Sequence, residues 1–432
     1  MHLRPIGLLA FALLSISTNA QGPDLVGYWH NWNDAAAPYI ELDQIDTRYT
    51  VIEVAFAEPA PGTTYDMQFS PAQTSPATFI AHVASLQAQG RKVLISIGGA
   101  NATVQLNSDV ERDQFVTSMV GILNTYGFDG LDIDLEGASV TNTGGTIAAP
   151  TTPSVIRLID AVDAIMTQYY AQHNRKLFLT MAPETAFVQG GISAFGGIWG
   201  AYLPIIDALR DSLDILQVQL YNSGTMYGID GAIYTQGNAD FIVSQTEAVI
   251  QGFTTAGGAF AGLRADQVAI GLPACVNAAG GGFVDTATVR AAAEYLLGSG
   301  PRPGAYVLQQ SSGYPDLRGL MTWSVNWDAA ASCNGAYSYA DAYERIFISI
   351  ATNTTEVDRS TSLSIRPNPA SEQITLALPA DQRNVHAIIT DISGRVVLDE
   401  RVHGTLNIVA MLPGLYVLNL PELGLHGSFV KE

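Results

Sequence analysis

Four acids fall within eight positions of "GFDGLDIDLEG" (127–137): Asp129, Asp132, Asp134 and Glu136. Leu131, Ile133 and Leu135 alternate with the last three. Side chains of a β-strand alternate between faces, so this spacing sets Asp132, Asp134 and Glu136 on one face and the aliphatic residues on the other. Neighbouring acids on such a face lie roughly 6.5–7 Å apart. In a low-dielectric enclosure, carboxylates that close cannot all ionise near neutrality, so at least one pKa must rise. A carboxyl group kept protonated is what general-acid catalysis needs. Glu136, last in the row, is placed to meet a substrate. Asp129 precedes the strand and reads as structural. Two plainer patterns compete. A half-exposed antiparallel strand also alternates, but a parallel barrel strand has no solvated face for acids. A calcium loop would need a bidentate carboxylate at its twelfth position, where Thr143 stands.

Such a row needs a closed support, and the surrounding chain offers one. Short apolar runs read as strands at Leu25–Trp29, Val51–Ala57, Lys92–Gly98, Gly130–Glu136, Lys176–Ala182, Ile215–Tyr221, Gln267–Pro273 and Gly319–Val325. Amphipathic stretches of helical period, such as Asp109–Tyr126 and Ser154–Tyr170, lie between most of them. Ser108 with Glu111 three residues on is a capping-box signature. Eight strands, each followed by a helical stretch, predict an α/β fold: a (β/α)₈ TIM barrel with its site at the C-terminal ends of the strands. No Gly-rich dinucleotide turn follows the first strand, which argues against an open doubly wound sheet. On the sixth strand Gln217, Gln219 and Tyr221 share a face by the same period-two rule. Polar groups turned into a lumen need partners or a ligand.

From about Thr352 a polar linker leads into short alternating strands with turn signals, "PNPAS", "DISGR" and "LPGLY". The expected organisation is a signal peptide over 1–20, a catalytic barrel over 21–351, a linker over 352–361 and a small C-terminal all-β, sandwich-like domain over 362–432. The first twenty residues carry Arg4, an apolar run from Ile6 to Leu14 and small or polar residues up to Ala20, the layout of a secretory leader too short to span a bilayer. Of 432 residues 47% are apolar, enough for a large core, and the formal net charge of −20 argues against nucleic acid or an anionic membrane as partner. Cys275 and Cys333 are the only cysteines, and export would let them pair, though two thiols specify no framework. Neither a zinc-type metal site nor a cofactor is expected, and the chain is expected to be monomeric, without a membrane span.

"DGLDIDLEG" resembles the signature of glycoside hydrolase family 18, the chitinases and their relatives. Other strands carry matching pieces in order: "GYW" with Tyr28, "SIGG" with Ser96, "MAPE" over Met181–Glu184, "QVQLYN" with Tyr221 and Asn222, and "MTWSVNWD" with Trp323. That family is an exception among retaining glycosidases because the substrate supplies the nucleophile. The resemblance implies Glu136 as general acid and base, Asp134 holding the acetamido N–H, and Asp132 as its deeper partner. It implies that Tyr28 and Ser96 support the inner acid, that Tyr221 with Asn222 meets the acetamido group, and that Trp323 is the floor beneath the cleaved sugar. Gln219 and Asn222 stand where many members have Met and Asp, a departure expected to affect the pH optimum. "FGGIWGAY" (195–202) offers a further aromatic platform or ordinary packing. The short span from Leu272 to Val289 leaves no room for the insertion that deepens the cleft in some relatives, which predicts an open groove and endo-type cutting. The expected substrate is chitin or another polymer of β-1,4-linked N-acetylglucosamine, with N-glycans cut by an endo-β-N-acetylglucosaminidase, or a non-catalytic chitin-binding lectin, as the competing readings. The tail resembles the C-terminal sorting domain of the type IX secretion system through "RPNPAS", "DISGRVV", "LPGLYV" and "FVKE", which implies secretion and a partner in that machinery; an ordinary sugar-binding sandwich is the plainer reading.

Overall fold

The aliphatic runs form eight parallel strands, and the computed structural model describes residues 22–330, 335–348, 363, 365–376, 378, 384–391, 395–423 and 425–432. The strands are β1 (Asp24–His30), β2 (Val51–Pro59), β3 (Lys92–Gly98), β4 (Gly130–Asp134), β5 (Phe178–Met181), β6 (Ile215–Leu216), β7 (Ala269–Pro273) and β8 (Gly319–Trp323). They pair in the order β7-β8-β1-β2-β3-β4-β5-β6. Parallel bridges Leu216↔Val268 and Gln219↔Gly271 join β6 to β7 and close the barrel. The expected sixth strand runs on to Tyr221, but its regular ladder stops at Leu216. Beyond it the chain touches its neighbours at single bridges, which glycine permits: a Cβ on Gly271 would lie 2.5 Å from the Val218 carbonyl oxygen.

Helices α1 (Pro76–Ala88), α2 (Asp109–Tyr126), α3 (Pro153–His173), α4 (Leu203–Leu209), α5 (Ala239–Gln251) and α6 (Thr286–Leu296) follow β2 to β7, and α7 (Val325–Ala329) and α8 (Ser338–Tyr343) follow β8. Between β1 and β2 the chain makes only a 3₁₀ turn, Leu42–Gln44, so one expected helical stretch is a loop. Asn31, Asn33, Asp34 and Pro38 crowd that segment and favour turns over helix. At α2, Ser108 caps the Glu111 N–H as expected. The Glu111 carboxylate, however, accepts from Asn107 N–H at 2.5 Å rather than from Ser108.

The core has two layers. Leu131, Ile133 and Leu135 face outward into the large cluster beneath the helices. Val26, Val51, Leu94, Phe178, Ile215 and Met321, near the N-terminal ends of their strands, fill the lumen floor. Each fully buried aliphatic side chain contributes roughly 1.5–3 kcal/mol. That floor leaves the lumen open for polar side chains only toward the C-terminal ends of the strands. Cys275 is buried and disulfide-bonded; Cys333 and the leader fall outside the described residues. No helix among the described residues is long and apolar enough to cross a membrane.

The chain divides into two compact units, the first ending at Ile348 and the second running to Glu432. The second holds two antiparallel sheets: Ile365–Arg366, Gln373–Leu376 and Thr405–Asn407 in one, and Val385–Asp391, Val396–Val402, Gly414–Leu420 and Leu425–Lys431 in the other. Ile374 and Leu406 of the first share a core with Ala387, Ile389, Leu418 and Phe429 of the second, a small sandwich.

Candidate active site

The strand register assembles the row. Ser96 on β3 pairs with Asp132 on β4, and Asp132 pairs with Thr180 on β5. Such close approach requires glycine at Gly98, where φ is +101° and a Cβ would sit 2.2 Å from the Asp134 carbonyl oxygen. Asp132 and Asp134 are buried and Glu136 is half-buried, with Leu135 on the opposite face. Glu136 lies just past β4, on a segment held by Tyr202: the Leu135 N–H donates to Tyr202 Oη at 2.7 Å, and Tyr202 Oη lies 3.0 Å from the Leu135 carbonyl oxygen.

The inner acid is held by donors. Tyr28 Oη and Ser96 Oγ donate to Asp132 Oδ2 at 2.7 and 2.6 Å, and Thr180 Oγ1 lies 2.7 Å from Oδ1. Gln219 Nε2 reaches three acceptors: Asp134 Oδ1 at 2.8 Å, Glu136 Oε1 at 3.0 Å and the Ala182 carbonyl oxygen at 3.0 Å. Among the described residues, no ion pair reaches Asp132, Asp134 or Glu136. Burial is the main force raising all three carboxyls above their ordinary range. For Asp134 the charges of Glu136, Asp132 and Glu53 add to it. For Asp132 the donated hydrogen bonds oppose it, those from Ser96, Thr180 and Tyr28 foremost. For Glu136 the Gln219 amide opposes it and the Glu184 charge adds to it. One row of like groups therefore holds protons above the ordinary carboxylate range and passes hydrogen bonds along its length.

Above the row opens a cavity of about 720 Å³, lined by Asp134, Glu136, Gln219, Tyr221, Asn222 and Trp323 among others. Tyr221 is buried, and no hydrogen-bond partner of its hydroxyl is found among the described residues. Burial and the charges of Asp134 and Glu136 keep that phenol protonated. Asn222, exposed and left-handed at φ +53°, accepts from Gly281 N–H at 3.1 Å and so pins the opposite rim. Trp323 stacks on Phe56 with centroids 6.0 Å apart and touches Tyr28 and His30. Tyr28 and Ser96, expected among the binding groups, sit beneath the cavity on Asp132 and do not line it. From Pro273 at the end of β7 the chain passes to α6 without a further strand or helix, so no inserted domain walls the cavity there.

Sequence reasoning missed several residues. Trp32 and Phe56 line the cavity beside Trp323. His30 stacks on Trp32 at 4.4 Å, and burial pushes its pKa down to about 4, so it is neutral near pH 7. Glu53 lies fully buried under Asp132, reached by Thr180 and Gln217. Its signal was legible, since Val51, Glu53 and Ala55 alternate toward the lumen as the acids of β4 do.

Residues 24–344 match the family model for glycosyl hydrolases family 18, and residues 364–424 match that for a secretion system C-terminal sorting domain. Chitinase Chi52 of Paenibacillus xylanexedens is 45% identical over 337 residues, 77% of this chain and 63% of its own length. Chitinase D of Niallia circulans is 44% identical over 338 residues, again 77% of this chain and 63% of its own. The chain thus spans less than two thirds of these curated relatives. Among solved structures, a family GH18 chitinase from Chromobacterium violaceum superposes with a TM-score of 0.65 at 39% identity, covering 76% of this chain and 83% of that one. With the acid row, the barrel that carries it and the family match all falling on the same residues, the chain belongs to glycosyl hydrolases family 18.

Proposed function

We propose that the protein is a secreted endo-chitinase that cleaves β-1,4-linked N-acetylglucosamine polymers with retention, through an oxazolinium formed by the substrate's own acetamido group. The observation that carries this reading is the inward row Asp132–Asp134–Glu136 ending under a cavity rimmed by Tyr221 and Trp323. Glu136 protonates the glycosidic oxygen and later activates water, a task its raised pKa suits. Asp134 accepts the acetamido N–H and balances the positive charge that grows as the carbonyl oxygen attacks the anomeric carbon. Asp132, fed by Tyr28 and Ser96, exchanges a proton with Asp134. Tyr221 donates its free hydroxyl to the acetamido oxygen, Gln219 orients Asp134 toward Glu136, Asn222 holds the rim, and Trp323 stacks on the apolar face of the sugar. The absence of an inserted wall after β7 supports entry in mid-chain and endo-type cutting. A leader over 1–20, a barrel over 21–351, a linker over 352–361 and a sorting domain over 362–432 that engages the secretion machinery complete the reading.

Wild type and Glu136→Gln are compared on a chitin oligomer and on a high-mannose glycopeptide. Turnover of the oligomer, lost in the variant, is the expected result. Cleavage of the glycopeptide alone would replace the substrate, and binding without turnover would make the protein a lectin. Removing the acetyl group from the sugar at the cleavage point should stop hydrolysis there, and continued cutting would overturn substrate assistance.

A further inference from the structure

Glu53 belongs to none of the roles above, yet it is as enclosed as Asp132. It is fully buried on β2, beside Tyr28 in register and beneath Asp132. Its partners can be counted. Thr180 Oγ1 lies 2.9 Å from Glu53 Oε1 and 2.7 Å from Asp132 Oδ1. A threonine hydroxyl has one hydrogen and so donates to one of them only. Asp132 already accepts from Tyr28 and Ser96, which suits an ionised, acceptor-only group. The shorter Thr180 contact is also to Asp132, so the hydroxyl hydrogen belongs there. The remaining contact, Glu53 to Thr180, is then a hydrogen bond only if Glu53 is the donor. Gln217 Nε2 donates to the same Oε1 at 2.6 Å, which a protonated oxygen still accepts. Glu53 Oε2, meanwhile, is buried with no partner among the described residues, and a bare anionic oxygen there would forfeit its solvation. Among the described residues, no cation pairs with Glu53.

We propose that Glu53 is a neutral carboxylic acid that donates a hydrogen bond to Thr180 and thereby aims the Thr180 hydroxyl at Asp132, a positioning residue that favours the ionised form of the inner acid. The titratable groups that face it are Tyr28 from β1, Asp132 and Asp134 from β4, and Tyr221 from the segment after β6. None is a cation; burial and, after it, the Asp132 charge favour the uncharged form of Glu53, against hydrogen bonds from Gln217, Thr180 and Tyr28 that favour the anion. The proton stays on Glu53 throughout turnover, and its service is to orient a hydroxyl. This inference rests on the proposed reading only for its kinetic test, because the protonation itself is measurable without substrate.

The direct test is infrared spectroscopy of the full chain labelled with carboxyl-¹³C glutamate at neutral pH. A protonated-carboxyl band that shifts with the label and in D₂O, persists in Glu136→Gln and disappears in Glu53→Gln is expected. Its absence from the wild type would overturn the proposal. The kinetic test uses the limb of the kcat/KM profile set by the Asp132–Asp134 pair. Glu53→Ala should lower activity about tenfold, the worth of one hydrogen bond, with most of it rescued by Glu53→Gln. Because Gln matches a neutral acid, the limb should stay in place in Glu53→Gln. If Glu53 were an anion, removing it would move that limb to lower pH by about one unit, and this result would refute the assignment. Should the Glu53 variants fail to fold, Thr180→Val and Thr180→Ser carry the question. Losing the donated hydrogen disfavours ionised Asp132, so Val should move the limb to higher pH and Ser should restore it. A limb unmoved in Thr180→Val would count against the relay.

Discussion

At the scale of single residues, the chemistry follows from how burial and hydrogen bonds divide protons among like groups. In its proposed role Glu136 must be protonated to act as an acid, so activity is expected to fall as pH rises through its folded pKa, which lies above the ordinary 4.5. The Gln219 amide lowers that value by donating to the carboxylate. Gln219→Met removes the donor, and the basic limb of kcat/KM is expected to move to higher pH by about one unit. Glu136→Gln should cut kcat by about 10³-fold while leaving oligomer binding, measured by calorimetry, nearly intact. Asp134 reports the cost of the arrangement. Its folded pKa is raised well above 3.8, chiefly by burial, so the native state holds this proton more tightly than the unfolded chain does. The stability it confers is complete below the ordinary value and is lost as pH rises through the folded one. Asp134→Asn escapes that loss, so it should be inactive yet melt about 2–4 °C above wild type at neutral pH, with the difference vanishing at acid pH.

At the scale of elements, the row works because its strand is anchored at both ends. Below it, Asp129 is buried and accepts from Val93 N–H and Gln87 Nε2, each at 3.0 Å, and pairs with Arg175. Removing the carboxylate strands a guanidinium and two other donors, so Asp129→Ala is expected to cost about 2–4 kcal/mol in denaturant unfolding with kcat little changed in the folded fraction. Above it, the backbone of Leu135 is fixed by Tyr202, the residue just before α4. Strands and caps of this kind were legible in the sequence because aliphatic period-two runs and Ser, Asn or Asp at helix starts are local signals. The early stop of β6 and the bare loop after β1 were not. Whether a backbone segment finds a ladder partner depends on how closely the neighbouring strand approaches, and at Gly271 that is settled across the barrel.

At the scale of the whole molecule, two units each bury a core of their own, one ending at Ile348 and one running to Glu432. A chain ending at Ile348 should therefore keep its kcat on a chitin oligomer within about twofold, since every residue proposed to act in catalysis lies at or before the end of β8. The same chain should fail to leave the cell, because the segment matching a sorting domain is gone; fractionation of the culture with an activity assay checks both.

The sequence by itself determined the barrel, the facing of Asp132, Asp134 and Glu136, and the family, since alternation along one strand and short motifs on successive strands are properties of neighbours in the chain. Tertiary structure alone decided which groups those acids meet. Thr180 and Glu53 are 127 residues apart yet 2.9 Å from contact to contact, and Gln219 spans two carboxyls 85 and 83 residues away. Proton sharing depends on distances of a few ångströms and on exclusion of water, and only closing the barrel sets either one.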